Sequence, residues 1–207
     1  MLIIMFLMTA LSLLLAADSA GETCTTLSSS LIEEASAEFQ RIPQNSSLPF
    51  PLILTPASNA DSSLTTAALF EWMRSYSSEL DGKLEAHQAI LFRGFNLSSA
   101  MDFEAFVEAS GYGEMEYKGG AAVRKVVSSR VLTSNESPST EVIPFHHELA
   151  QTASPPTHVF FFSLLPALSG GETPILSSLE LFDRLERELP SFTEALEREG
   201  VQYIRTM

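Results

Sequence analysis

The sequence predicts an α+β fold in which β structure predominates, and three observations carry that reading. Apolar residues at helical spacing come early, from Leu64 to Leu80 and again from Phe103 to Val107. After Gly111 the period changes to that of strands, with dense apolar runs such as HVFFFSLL from His158 to Leu165. The strand patterns do not alternate with long helices, which speaks against a parallel βαβ sheet.

The elements follow from local chemistry. The globular pattern starts at Phe50, and Pro51-Leu52-Ile53-Leu54 reads as a short strand. Asp61 or Ser62 can cap a helix whose buried face is Leu64, Ala68, Leu69, Trp72, Met73, Tyr76 and Leu80. Ala89-Ile90-Leu91-Phe92 is a continuous apolar run of the buried-strand type, closed by Arg93-Gly94. Ser98 or Ser99 then opens a second helix with Phe103, Phe106 and Val107 on one face. Strand patterns follow at Lys125 to Thr133, Val142 to Phe145, His158 to Leu165 and Thr173 to Leu176, the last behind a Gly170-Gly171 turn. Two short helices come next: Leu179 to Leu189, and one opened by the capping box Ser191-Phe192-Thr193-Glu194. Val201 to Met207 reads as the start of a strand.

Composition narrows the function classes. The 207 residues are 45% hydrophobic and 18% charged, too apolar for a disordered chain and enough for one sizeable core. Twelve Lys and Arg against 26 Asp and Glu leave a net charge of −14, whose field repels nucleic acid. The single cysteine, Cys24, makes no internal disulfide, and no Cys/His cluster is present to hold structural zinc.

The first residues, MLIIMFLMTALSLLLAA, form an uncharged apolar run, and Ala17 and Ser19 supply small residues for cleavage after position 19. The expected organisation is a signal peptide or anchor over 1–19, a Ser/Thr-rich linker or arm over 20–48 with a helical patch from Leu31 to Phe39, and a domain over 49–207. A cleaved leader directs the protein to the secretory pathway or an organelle. An uncleaved one anchors it in a membrane, since about 17 apolar residues is the lower limit for a span. Sequons at Asn45, Asn96 and Asn135 fit a secretory route.

The strongest chemical signal is Ile143-Pro144-Phe145-His146-His147-Glu148. On a strand, residues i and i+2 share a face, so His146 and Glu148 aim an imidazole and a carboxylate at one point while His147 faces away. That pair is two-thirds of the 2-His-1-carboxylate triad that holds non-haem Fe(II) with positions left open for oxygen and a co-substrate. The plain alternative is a solvated polar strand end. Downstream, Gly170-Gly171-Glu172-Thr173-Pro174-Ile175 combines a tight turn with a hydroxyl, on Thr173, able to donate to a carboxylate near the metal.

From about Phe50 to Met207 the chain resembles the TauD/TfdA-like family of Fe(II)/2-oxoglutarate oxygenases, in its plant-type clavaminate synthase-like branch. The resembling pieces are AILFRGFNLSS (89–99), the Phe103–Phe106 helix, YKGGAAVRKVV (117–127), SNESP (134–138), IPFHHELAQ (143–151) and GGETPILSS (170–178). The resemblance implies a partial double-stranded β-helix, or jelly roll, with flanking helices. It implies that His146 and Glu148 are the first two iron ligands and that Thr173 helps bind 2-oxoglutarate. Asn135 is placed near the substrate side. The implied reaction is decarboxylation of 2-oxoglutarate to succinate coupled to hydroxylation or desaturation of a small-molecule substrate.

The pattern is incomplete. The family's second metal histidine and its 2-oxoglutarate-binding arginine lie well beyond the Gly-Gly turn, and none of His87, His147, His158 or Arg205 matches them. The chain therefore reads as the N-terminal part of such a domain. The competing reading is a non-catalytic jelly-roll binding module or inactive remnant.

Overall fold

The computed structural model describes residues 2–7, 30–37, 48–58, 64–117, 124–134, 137–138 and 140–204. Its strands are β1 (Leu2–Leu7), β2 (Ile32–Ala35), β3 (Leu52–Pro56), β4 (Ala89–Arg93) and β5 (His158–Ser163). Its helices are α1 (Thr66–Ser75), α2 (Ser77–His87), α3 (Ala100–Ala109), α4 (Ser178–Glu188) and α5 (Pro190–Glu199).

Helix starts are set by side-chain oxygens that accept otherwise unpaired backbone N–H groups. Thr65 caps α1 through Ala68 N at 3.2 Å, and the predicted caps Asp61 and Ser62 lie outside the described residues. Ser99 caps α3 in a full capping box: its Oγ accepts from Asp102 N at 3.1 Å while the Asp102 carboxylate accepts from Ser99 N at 2.9 Å. Ser177 caps α4 through Glu180 N at 3.1 Å. The capping box expected at Ser191 is absent. Pro190 takes the first turn of α5, and the Thr193 hydroxyl turns back to the Pro190 carbonyl at 2.8 Å instead.

The sheet order is β2-β3-β4-β1-β5. β3 and β4 are parallel, joined through α1 and α2, whereas β2–β3, β4–β1 and β1–β5 are antiparallel. Side chains alternate across the sheet. Leu52 and Leu54 of β3 and Ile90 and Phe92 of β4 face Leu69, Trp72, Met73, Leu84, Phe103 and Phe106 of the helices. Ile53 and Leu91 point to the other face beside Phe161. β5 joins the main core through Phe162, stacked on Phe103 with centroids 5.0 Å apart.

The expectation of a mostly β chain with a partial jelly roll is corrected. Among the described residues, five helices of 10 or 11 residues outweigh five strands of four to six, and the strands form one open mixed sheet. The physical reason lies in strand pairing. The runs at 142–145, 173–176 and 201–204 find no partner strand in the described residues, so their backbones stay irregular. Their apolar side chains stay in water, with Val142, Phe145 and Ile204 all exposed. Only 125–133 comes partway, as a hairpin holding one isolated bridge, Val126–Leu132.

The patch from Leu31 to Phe39 also behaves differently from its sequence pattern. Ile32–Ala35, inside the patch read as helical, is a strand paired with β3. Leu2–Leu7 lies between β4 and β5, antiparallel to both; removal of a leader over 1–19 would leave those two edges facing each other unpaired. No helix among the described residues is long and apolar enough to cross a membrane.

His158 opens β5, half-buried, with its ring stacked 3.9 Å from the Tyr112 ring. Burial lowers its pKa, and Asp81, which accepts a hydrogen bond from the Tyr112 hydroxyl, opposes that shift only in part. The folded state thus binds a proton less readily than the unfolded chain, whose histidine titrates near pH 6.5. Stability contributed at this site is fully present above that pH and falls as the pH drops through the folded value. Thermal melts at pH 7 and pH 5 should therefore differ less in His158→Gln than in the parent chain. An unchanged difference would remove His158 from the acid response.

Candidate metal centre

The segment carrying His146 and Glu148 is not a strand: 142–147 are irregular and 148–150 form a turn. The two side chains nevertheless converge, with His146 Nε2 and Glu148 Oε2 3.9 Å apart. They meet where the irregular segment enters a turn that begins at Glu148. Leu149 adopts φ 53, a left-handed conformation rare for a branched side chain, and its side chain is buried. Its carbonyl accepts from both the backbone N–H and the hydroxyl of Thr152, at 2.9 and 2.8 Å, which holds the turn closed.

Each of the two groups has its far atom engaged. His146 Nδ1 lies 2.7 Å from the Pro144 carbonyl. A carbonyl can only accept, so Nδ1 carries a proton and Nε2 is the nitrogen left to present a lone pair to a metal. Glu148 Oε1 accepts from Arg124 Nη2 at 2.9 Å, and the carboxylate is mostly buried. Oε2 is the oxygen turned toward His146. Metal-binding histidines and carboxylates ordinarily have their outer atoms held in this way.

His147 faces elsewhere, as the spacing predicts: its Nε2 hydrogen-bonds Ser178 Oγ at 2.7 Å. Ser177 Oγ and Leu179 N both donate to Gln88 Oε1, at 2.9 and 3.3 Å. The start of α4 thereby ties the His-His-Glu segment to the junction between α2 and β4. His87 is buried and donates from Nδ1 to the Pro49 carbonyl at 2.7 Å, a structural role.

Thr173 lies exposed on the irregular segment between β5 and α4. Gly170 and Gly171 just before it have φ 71 and 77, the positive values the turn reading requires, and a Cβ on Gly171 would come within 3.0 Å of the Ala167 Cβ. No described contact joins Thr173 to His146 or Glu148. Asn135 and Arg205 lie outside the described residues.

Neutral imidazole and carboxylate are the donor types that non-haem Fe(II) takes, so these two residues fit as part of an iron site. No group of three or more His, Cys, Asp or Glu side chains able to hold a metal occurs among the described residues.

Residues 54–206 match the family described as taurine catabolism dioxygenase TauD, TfdA. The chain belongs to the TauD/TfdA family. Within it, the chain is similar to a clavaminate synthase-like protein of Arabidopsis thaliana, 40% identical over 163 residues that cover 78% of this chain and 49% of the relative. It is also similar to the dapdiamide synthesis protein DdaC of Enterobacter agglomerans, 29% identical over 126 residues that cover 61% of this chain and 37% of that protein. The chain thus spans half or less of the length of these relatives. As a TauD/TfdA member it shares in a family of Fe(II)/2-oxoglutarate-dependent oxygenases.

Proposed function

We propose that this chain carries, in His146 and Glu148, the first two iron ligands of an Fe(II)/2-oxoglutarate-dependent dioxygenase acting on a small-molecule substrate. The observation that carries the reading is the facing of His146 Nε2 and Glu148 Oε2 across 3.9 Å, each with its outer atom already bonded. Bound iron would supply the oxidative step with dioxygen as the oxidant: 2-oxoglutarate would lose CO2 to become succinate, and a substrate C–H bond would be hydroxylated, or two hydrogens removed to water in a desaturation. The chain's own residues bind and orient. His146 offers Nε2 because Pro144 holds the opposite N–H, and Glu148 offers Oε2. Thr173 supplies a hydroxyl to the keto acid, and Asn135 contributes on the substrate side.

A binding module without turnover is the second reading. Anaerobic titration with Fe(II) or Co(II) tests the site, and succinate release from 2-oxoglutarate then separates the two readings. His146→Ala is expected to weaken metal binding by at least about 100-fold, since it removes a ligand where an outer partner alone is worth about 10–100-fold. His147→Ala, which touches Ser178 instead, should leave binding unchanged. Equal binding by the parent chain and His146→Ala would overturn the site.

A further inference from the structure

We infer that Arg124 is the positioning residue of the metal centre, clamping one oxygen of Glu148 so that the other is held toward His146. The inference rests on the reading of Glu148 as a metal ligand and adds what orients it. Glu148 sits at a tight turn, and a glutamate has three side-chain torsions, so without an external grip its carboxylate would sample many directions. Arg124 supplies the grip. Its Nη2 donates to Glu148 Oε1 at 2.9 Å, across 24 residues of sequence, and both side chains are mostly buried.

The guanidinium is itself fixed. Nη1 donates to the Ser134 carbonyl at 2.5 Å and to the Thr133 carbonyl at 3.4 Å, and the group lies 4.6 Å over the Tyr117 ring. Those carbonyls stand opposite Arg124 because the 125–133 hairpin closes beside it. Thr133 N donates to the Lys125 carbonyl at 3.0 Å, and Lys125 N donates to Thr133 Oγ1 at 2.9 Å. The planar fork of arginine reaches backbone and carboxylate at once, which a lysine ammonium on a flexible stem does less well. The hairpin therefore transmits its geometry to the metal-facing oxygen.

A guanidinium so near a dication also repels it. Holding the carboxylate in place outweighs that repulsion if Arg124 acts as an outer partner of the ligand, for which loss costs about 10–100-fold in metal affinity. The test is Co(II) binding to the purified chain, followed by its visible absorption, in the parent, Arg124→Met, Arg124→Lys and His146→Ala. Circular dichroism of each variant confirms that it is folded. The expected result is a 10–100-fold loss in Arg124→Met, partial recovery in Arg124→Lys, and an altered Co(II) spectrum in both. A purely structural arginine would shift the melting temperature and leave the spectrum of bound Co(II) unchanged. Binding as tight as the parent's, or tighter, in a folded Arg124→Met overturns the inference while leaving the metal site intact. Absence of binding in the parent, indistinguishable from His146→Ala, overturns the metal reading and this inference with it.

Discussion

Phe92→Ala should cost about 3–5 kcal/mol of folding stability. Phe92 lies in β4 with 1% of its surface exposed, packed edge-on against Phe106 at 5.0 Å and tilted against Phe95 at 6.0 Å. Truncation removes the buried ring, leaves a cavity between sheet and α3, and breaks two aromatic contacts worth about 0.5–1.5 kcal/mol each beyond their area. A domain of this size holds about 5–15 kcal/mol in total, so the loss is a large share of it. At about 2–4 °C per kcal/mol, the melting temperature should fall by roughly 6–20 °C. The comparison variant is Phe145→Ala. Phe145 is 61% exposed, and its truncation should stay within about 0.5 kcal/mol. Melts that fall by similar amounts in the two variants would mean that Phe92 is not at the centre of the core.

Phe92 was legible because AILF is a short, uninterrupted apolar run closed by Arg93-Gly94, which suits a strand buried on both faces, and it became β4 within one residue of its predicted end. The helix after Ser99 was equally plain, since the cap, Asp102 and the Phe103–Phe106 face all agree locally. Val142–Phe145 and Thr173–Leu176 carry the same strand chemistry and failed, because a strand exists only where another backbone meets it. That partner cannot be read from the run itself. The convergence of His146 and Glu148 was legible from their spacing, although the segment pairs with no strand in the described residues and runs into a turn at Leu149. Arg124 sat unremarked inside YKGGAAVRKVV. Its partner is 24 residues away and reached through a hairpin, and no periodicity marks such a pair.

Lys83→Ala should cost about 2 kcal/mol, and it decides whether β2 belongs to the domain or to a loose arm. Composition alone assigns 20–48 to a linker, because its Ser and Thr residues form no apolar face. Within it, however, successive glutamates of β2 point to opposite faces of the sheet. Glu33 accepts from Ser58 Oγ at 2.6 Å, just beyond β3. Glu34 meets Lys83 Nζ, midway along α2, at 2.8 Å. The Lys83 side chain is 7% exposed and that of Glu34 is 26% exposed. Losing one partner of a fully buried pair costs about 3–5 kcal/mol; water reaches the Glu34 carboxylate, which brings the figure down. A cycle of Lys83→Ala, Glu34→Ala and the double variant isolates the pair from the packing of the lysine stem. A coupling of about 1–2 kcal/mol is expected, since a surface pair would give less than about 1 kcal/mol. Coupling near zero would detach β2 from the helix layer and restore the linker reading. A clear coupling makes Ile32–Ala35 part of the folded unit, held by its own charges to a helix 49 residues away in sequence.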